Sequence, residues 1–248
     1  MFSSIKSEFI KEKRSANAKM IFIVPVVFIF FNILLVSIMG RSPSGKSYLM
    51  ATAFNWYPLI VLPIVISILV ININNKEKDV HRVFVKSLGL NEGYMVISKS
   101  IIVRAEILAI ILLSSVFVYF FGVYYMEDDI SIINLIEASV VLFTGSLGIT
   151  GISFLLYGVF RNKFLIVIFN FIMTFISPII AITKFWYMYP WDYSTRMLAP
   201  VIKVYPNGLF IEGESPFLNM HNLLIGALLS ILIFYLCIFI SYRREKRK

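Results

Sequence analysis

Residues 74–99, NNKEKDVHRVFVKSLGLNEGYMVISK, form a polar interval between two long apolar runs, and their reading decides the fold. Lys76, Lys78, Arg82, Lys86 and Lys99 fall within it. Short loops rich in Lys and Arg stay on the cytoplasmic side of a membrane. The interval is therefore predicted to be an inner loop, with the apolar runs on either side crossing the bilayer.

The composition agrees. Hydrophobic residues make up 59% of the chain and charged residues 15%, against about a quarter charged in soluble domains. The mean hydropathy is +0.84. A length of 248 residues leaves room for about six spans of roughly 20 residues each, so the expectation is one all-α membrane domain over residues 1–248 and no soluble domain. The net charge of +9 does not point to nucleic acid, because the basic residues punctuate apolar runs and form no basic face. The single cysteine, Cys237, allows no internal disulfide and no thiol metal cluster, and reads as a small buried apolar residue. The basic N-terminus precedes an apolar run without a small-x-small cleavage site, and that run is taken as a retained first span.

Residues 1–19 place Phe2, Ile5 and Phe9 opposite Lys6, Lys11, Lys13 and Arg14, the pattern of an amphipathic helix in the headgroup region. Spans are expected at 20–39, 51–73, 107–125, 138–160, 164–183 and 223–242. Asn55, Trp56 and Tyr57 read as interfacial anchors at the head of span 2, whose Pro58 and Pro63 either kink the helix or shape its packing. Arg104 and Glu106 read as snorkelling anchors at the inner margin of span 3. Glu127, Asp128 and Asp129 read as a solvated turn, the alternative being an acidic patch that attracts a cationic ligand outside. In span 4, Gly145, Gly148 and Gly151 recur every third residue and make a smooth stripe for close helix approach, within one subunit or between two. Residues 184–220 hold four prolines among tryptophans and tyrosines, which predicts an ordered outer element, extracellular or re-entrant, in place of a floppy linker. With the N-terminus inside, all of the 23 Lys and Arg except Arg41, Lys46, Lys184, Arg196 and Lys203 fall on the inner side, which places both termini in the cytoplasm.

Residues 40–47, GRSPSGKS, satisfy the phosphate-loop expression from Gly40 to Ser47. That chemistry needs a buried strand, a helix N-terminus and a second strand supplying an acid for magnesium. An outer turn between two spans has none of these, so the match is read as coincidence. Neither His81 nor His221 belongs to a metal-ligand pattern, and neither a nucleophile-base pair nor a repeated filter loop is visible, nor an acid within a predicted span. The chain is expected to be non-catalytic and to bind no cofactor or metal.

Energy must then enter from elsewhere. Val80, Phe84 and Leu88, with Val83 beside them, form one apolar stripe on a short helix over 79–88, a shape that enters a partner's groove or lies flat on lipid.

Taken together, Lys13-Arg14-Ser15 before span 1, Glu77-Lys78 after span 2, the helix at 79–88 and Ser98-Lys99 before Ile101 resemble the permease subunits of type-2 ABC exporters. The resemblance implies two permeases, identical or related, and separate cytoplasmic ATPase subunits that bind the ATP and magnesium. It implies docking of the ATPase on Glu77, Lys78, Val80, His81, Phe84 and Leu88. Asn55-Trp56-Tyr57, Pro190-Trp191 with Tyr193, and Pro206-Asn207-Gly208 are most similar to lantibiotic-protection permeases. That implies an amphipathic antimicrobial peptide as the exported substrate. The competing reading is a membrane scaffold or sensor that binds peptide through its outer loop and transports nothing.

Overall fold

The computed structural model describes residues 2–13, 15–76, 92–160 and 162–246. In order these form α1 (Phe2–Glu12), α2 (Ala16–Met39), α3 (Tyr48–Trp56), a π-helical turn (Tyr57–Val61), α4 (Leu62–Asn75), α5 (Glu92–Tyr124), α6 (Ile132–Val159), α7 (Phe164–Ala181), α8 (Tyr193–Ile202) and α9 (His221–Lys246). With α3, the turn and α4 taken as one unit, six helices among the described residues are long and apolar enough to cross a membrane. The chain is a multi-pass membrane protein. Among the described residues there is no strand, only an antiparallel bridge between Val204 and Phe210.

Local sequence explains most boundaries. Ser15, Ser47 and Ser131 each sit in extended backbone before a helix, and each hydroxyl accepts from an N–H in the first turn: Ala18 at 3.2 Å, Met50 at 3.0 Å and Asn134 at 3.5 Å. Pro58 has no N–H and crowds the preceding turn. The ladder slips by one residue there, with Leu62 N donating to Tyr57 O, and this is the physical origin of the π-helical turn.

Two ends of the bundle can be told apart by contacts. At the terminal end, Lys76 at the foot of α4 pairs with Glu12 of α1, Tyr157 donates to Asn75 at 2.8 Å, and Tyr94 of α5 packs on Tyr242 of α9. At the cap end, Ser47 donates to Asp128 at 2.5 Å and Asn55 meets the 205–208 turn. Helix α6 runs through the middle, with α9, α8 and α4 against it. Helices α2, α7 and α9 turn Phe22, Leu34, Phe175, Ile179, Leu228 and Leu232 outward. In lipid such faces gain nothing by burial, so close backbone packing and buried hydrogen bonds must hold the helices together.

Several expectations need correction. α5 begins at Glu92, well before the expected start of span 3, because its charged residues are satisfied within the bundle. Arg104 stacks over Phe234 at 4.7 Å, while Glu106 is buried and accepts from Asn17 at 3.0 Å, so it does not snorkel. Tyr57 is no interfacial anchor: it is buried, edge-on to Phe28, with its hydroxyl 3.2 Å from Ser114. Asp128 is no solvated turn residue either, since it is buried and accepts from both Ser47 Oγ and Leu49 N. Each miss has the same cause: a polar group finds its partner on another helix, where a window along the sequence does not look.

Candidate functional site

After α7 the chain turns back into the bundle. Residues 182–185 reverse direction, and two short 3-10 turns, Trp186–Met188 and Pro190–Asp192, descend beside the helix just completed. Tyr189 donates to Met173 O at 2.6 Å, and Trp191 Nε1 donates to Asn170 Oδ1 at 3.1 Å. Asn170 lies eleven residues before the end of α7, a depth of roughly 16 Å at 1.5 Å per residue. From Tyr193 the chain climbs again as α8, in which every residue except Ile202 is buried. This re-entrant element is one of the two forms expected for the aromatic and proline-rich stretch. Irregular backbone at such depth persists only where protein surrounds it.

Three glycines make room for it and for α9. A β-carbon on Gly145 would lie 2.7 Å from Ser194 Cα, and one on Gly151 would lie 2.8 Å from Phe234 Cα. At Gly148 the nearest atoms, Ser230 Oγ and Pro190 Cβ, stand at 3.5 and 3.8 Å. The Gly145, Gly148 and Gly151 stripe thus faces α8, the re-entrant turn and α9 of the same chain. Ser230 fastens the crossing by accepting from Gly148 N at 2.9 Å and donating to Thr144 O at 2.8 Å.

A polar network lies at the foot of the re-entrant turn. Asn170 donates to Ser67 and Ser153, both at 2.8 Å, while accepting from Trp191. Ser177 Oγ lies at hydrogen-bond distance from Asp192 Oδ1, 2.9 Å, and 3.4 Å from Thr195 Oγ1. Asp192 is fully buried. Its Oδ2 is buried with no hydrogen-bond partner among the described residues. Arg196 does not ion-pair with it: its Nη1 donates to Ala181 O at 3.0 Å and its guanidinium lies over Phe217 at 3.8 Å. Tyr193 donates to Tyr187 O at 2.8 Å.

The cap end holds the other predicted residues. Tyr205, Pro206, Asn207 and Gly208 form a β-turn in which Gly208 N donates to Tyr205 O at 2.8 Å and Gly208 has φ +88°. Asn207 Oδ1 accepts from Leu209 N at 3.1 Å. Asn55 Nδ2 reaches across from α3 to Tyr205 O at 3.0 Å and Pro206 O at 3.4 Å. Residues 150 positions apart in sequence therefore build one structure, while Trp191 and Tyr193 sit deeper. The phosphate-loop look-alike is held by the chain itself: Lys46 pairs with Glu212 at 3.2 Å and lies over Phe210, and Ser47 both caps α3 and bonds Asp128. Beside it a cavity of about 320 Å3 has Lys46, Asp129, Asn134 and Lys203 on its walls and Met50 and Phe210 among its apolar residues.

At the terminal end, Glu8, Glu12, Asn17 and Glu106 are buried together. Lys76 pairs with Glu12, Lys11 pairs with Glu8 at 2.5 Å, and Asn72 donates to Asn17 Oδ1 at 2.9 Å. Asn17 Nδ2 is shared between Glu106 and Leu69 O. This clamp ties α1 and the start of α2 to α4 and α5. The predicted docking residues Glu77, Lys78, Val80, His81, Phe84 and Leu88, which begin one position beyond Lys76, lie outside the described residues.

Among the described residues no group of three His, Cys, Asp or Glu could hold a metal ion. Sequence reasoning missed Glu106, Asp128, Asn170 and Asp192. The aromatic and proline density of 184–220 was the one local signal for the re-entrant element. Compared with family models, with curated proteins and with solved structures, the chain matches none.

Proposed function

We propose that this chain is the permease subunit of an ATP-driven exporter of the type-2 ABC class, working as a pair of permeases in the cell membrane with both termini in the cytoplasm. Its substrate is an amphipathic antimicrobial peptide of the lantibiotic type, and its role is immunity or resistance. The permease is not catalytic, and ATP and magnesium belong to a separate cytoplasmic ATPase that docks on residues 77–90. The observation that carries this reading is the contact of Asn55 with the Pro206-Asn207-Gly208 turn. Two of the stretches on which the resemblance rests are joined there by hydrogen bonds. The clamp around Lys76 supplies a mechanical route. A push on the segment just after Lys76 is passed at once to α1, α2 and α5, because the Lys76–Glu12 ion pair and the hydrogen bonds of Asn17 link them.

The competing scaffold or sensor reading makes a different prediction for energy use. In proteoliposomes containing this chain and its ATPase, a lantibiotic added on the cap side raises ATP hydrolysis several-fold. Peptide that binds without changing hydrolysis favours the scaffold or sensor.

A further inference from the structure

Asp192 and Arg196 stand one helical turn apart at the start of α8, opposite in charge, and yet do not touch. Asp192 Oδ2 is buried without a hydrogen-bond donor, and Arg196 Nε is buried without an acceptor. An i, i+4 carboxylate and guanidinium on one helix ordinarily meet. A buried ionised carboxylate facing no donor on one oxygen is costly. A neutral acid fits the same surroundings: its hydroxyl oxygen, Oδ1, donates to Ser177 Oγ, and Ser177 turns its own proton toward Thr195 Oγ1. The bare oxygen is then the carbonyl, the acceptor most readily left unpaired in protein interiors.

We propose that Asp192 is a proton-binding site that selects the partner of Arg196. With the proton in place, Arg196 stays on Ala181 O and over Phe217 and Trp186, pinning α8 to the end of α7. When the proton leaves to bulk water, the carboxylate draws the guanidinium into the ion pair and Ala181 O loses its donor. The pin is then released and the re-entrant turn loosens against α7.

Few other groups can compete. Helix α7 carries no charged or titratable side chain, α6 carries no charged one between Ala138 and Leu156, and α9 none between Asn222 and Ser241. The titratable side chains that face Asp192 are Arg196, Tyr189 and Tyr193. Both tyrosines are phenols, neutral across the range in which a carboxyl ordinarily ionises. The unpartnered Oδ2 fixes the sign: the neutral acid is the form favoured in acid, and the arrangement it stabilises is lost as pH rises and the carboxyl ionises.

The test uses the intact protein in lipid nanodiscs, titrated from about pH 5 to pH 10 while the infrared carboxyl C=O band and tryptophan fluorescence are followed, Trp191 being the neighbour of Asp192. The expected result is a one-proton transition present in wild type and in Glu106→Gln, absent in Asp192→Asn, and moved to higher pH in Arg196→Gln, where the charge favouring ionisation is gone. Should Asp192→Asn not fold, the wild-type band and its upward move in Arg196→Gln decide the matter. No transition in wild type, or the same transition in Asp192→Asn, overturns the proposal. Titrations in sodium chloride and in choline chloride are each expected to show the transition; a transition seen only in sodium chloride overturns the proton as the occupant.

Discussion

Alanine at Gly145 or Gly151 will destabilise the protein by about 1–3 kcal/mol, whereas alanine at Gly148 will be neutral or mildly stabilising. The three positions share one helix face and differ only in what lies above them. At Gly145 and Gly151 a methyl group meets the backbone of α8 and α9 at 2.7 and 2.8 Å, and backbone cannot rotate aside as a side chain does. Helices α8 and α9 must shift outward, and the re-entrant element loses contact with α6. At Gly148 the new methyl finds ordinary contact distances, and exchanging a mid-helix glycine for alanine gains roughly 0.5–1 kcal/mol. The melting temperatures of the three purified variants in one detergent check the pattern. Equal effects at all three sites would mean that the stripe does not seat α8 and α9 within the subunit.

Replacing Lys76 with methionine will cost about 3–5 kcal/mol, the penalty for removing one partner of a buried ion pair. Lys76 offsets Glu12, whose carboxylate lies beside Ser15 and close to the equally buried Glu106. Without the lysine two acids share a low-dielectric site with no cation on α4. The packing of α1 against the bundle is then weakened. The double variant Lys76→Met with Glu12→Gln should recover a large part of the loss, because both charges are then gone and the amide still serves Ser15. Thermal unfolding of the single and double variants gives the coupling directly. Protease cutting near Lys13 reports whether α1 has come away. A single variant as stable as wild type would remove the clamp from the account.

Six spans and an ordered aromatic element were legible because hydropathy and turn chemistry are local properties. Pro206-Asn207-Gly208 entered the sequence reading only through the resemblance, although proline and glycine stand where a β-turn needs them. The interior polar network was not legible. Asp192 sits in a Pro-Trp-Asp-Tyr sequence with no periodic signal of burial, and only the descent of the chain along α7 buries it. Glu106 counts against a span in any hydropathy window, and the group that satisfies it, Asn17, lies 89 residues away. Asn170 and Ser177 look like minor interruptions of an apolar run until the re-entrant turn supplies their partners. In a membrane protein the sites that matter most are paid for by such distant pairings, which periodicity along one helix does not register.

The most direct test of the permease reading lies in residues 77–90, where energy is proposed to enter. Affinity-purified from its native membrane, the wild-type chain should bring with it magnesium-dependent ATP hydrolysis. The double variant Phe84→Asp, Leu88→Asp should reach the membrane at the same level and bring none, because two carboxylates on the apolar stripe cannot enter an apolar groove. Hydrolysis retained by the double variant, or absent from wild type, would contradict the docking claim and with it the permease reading.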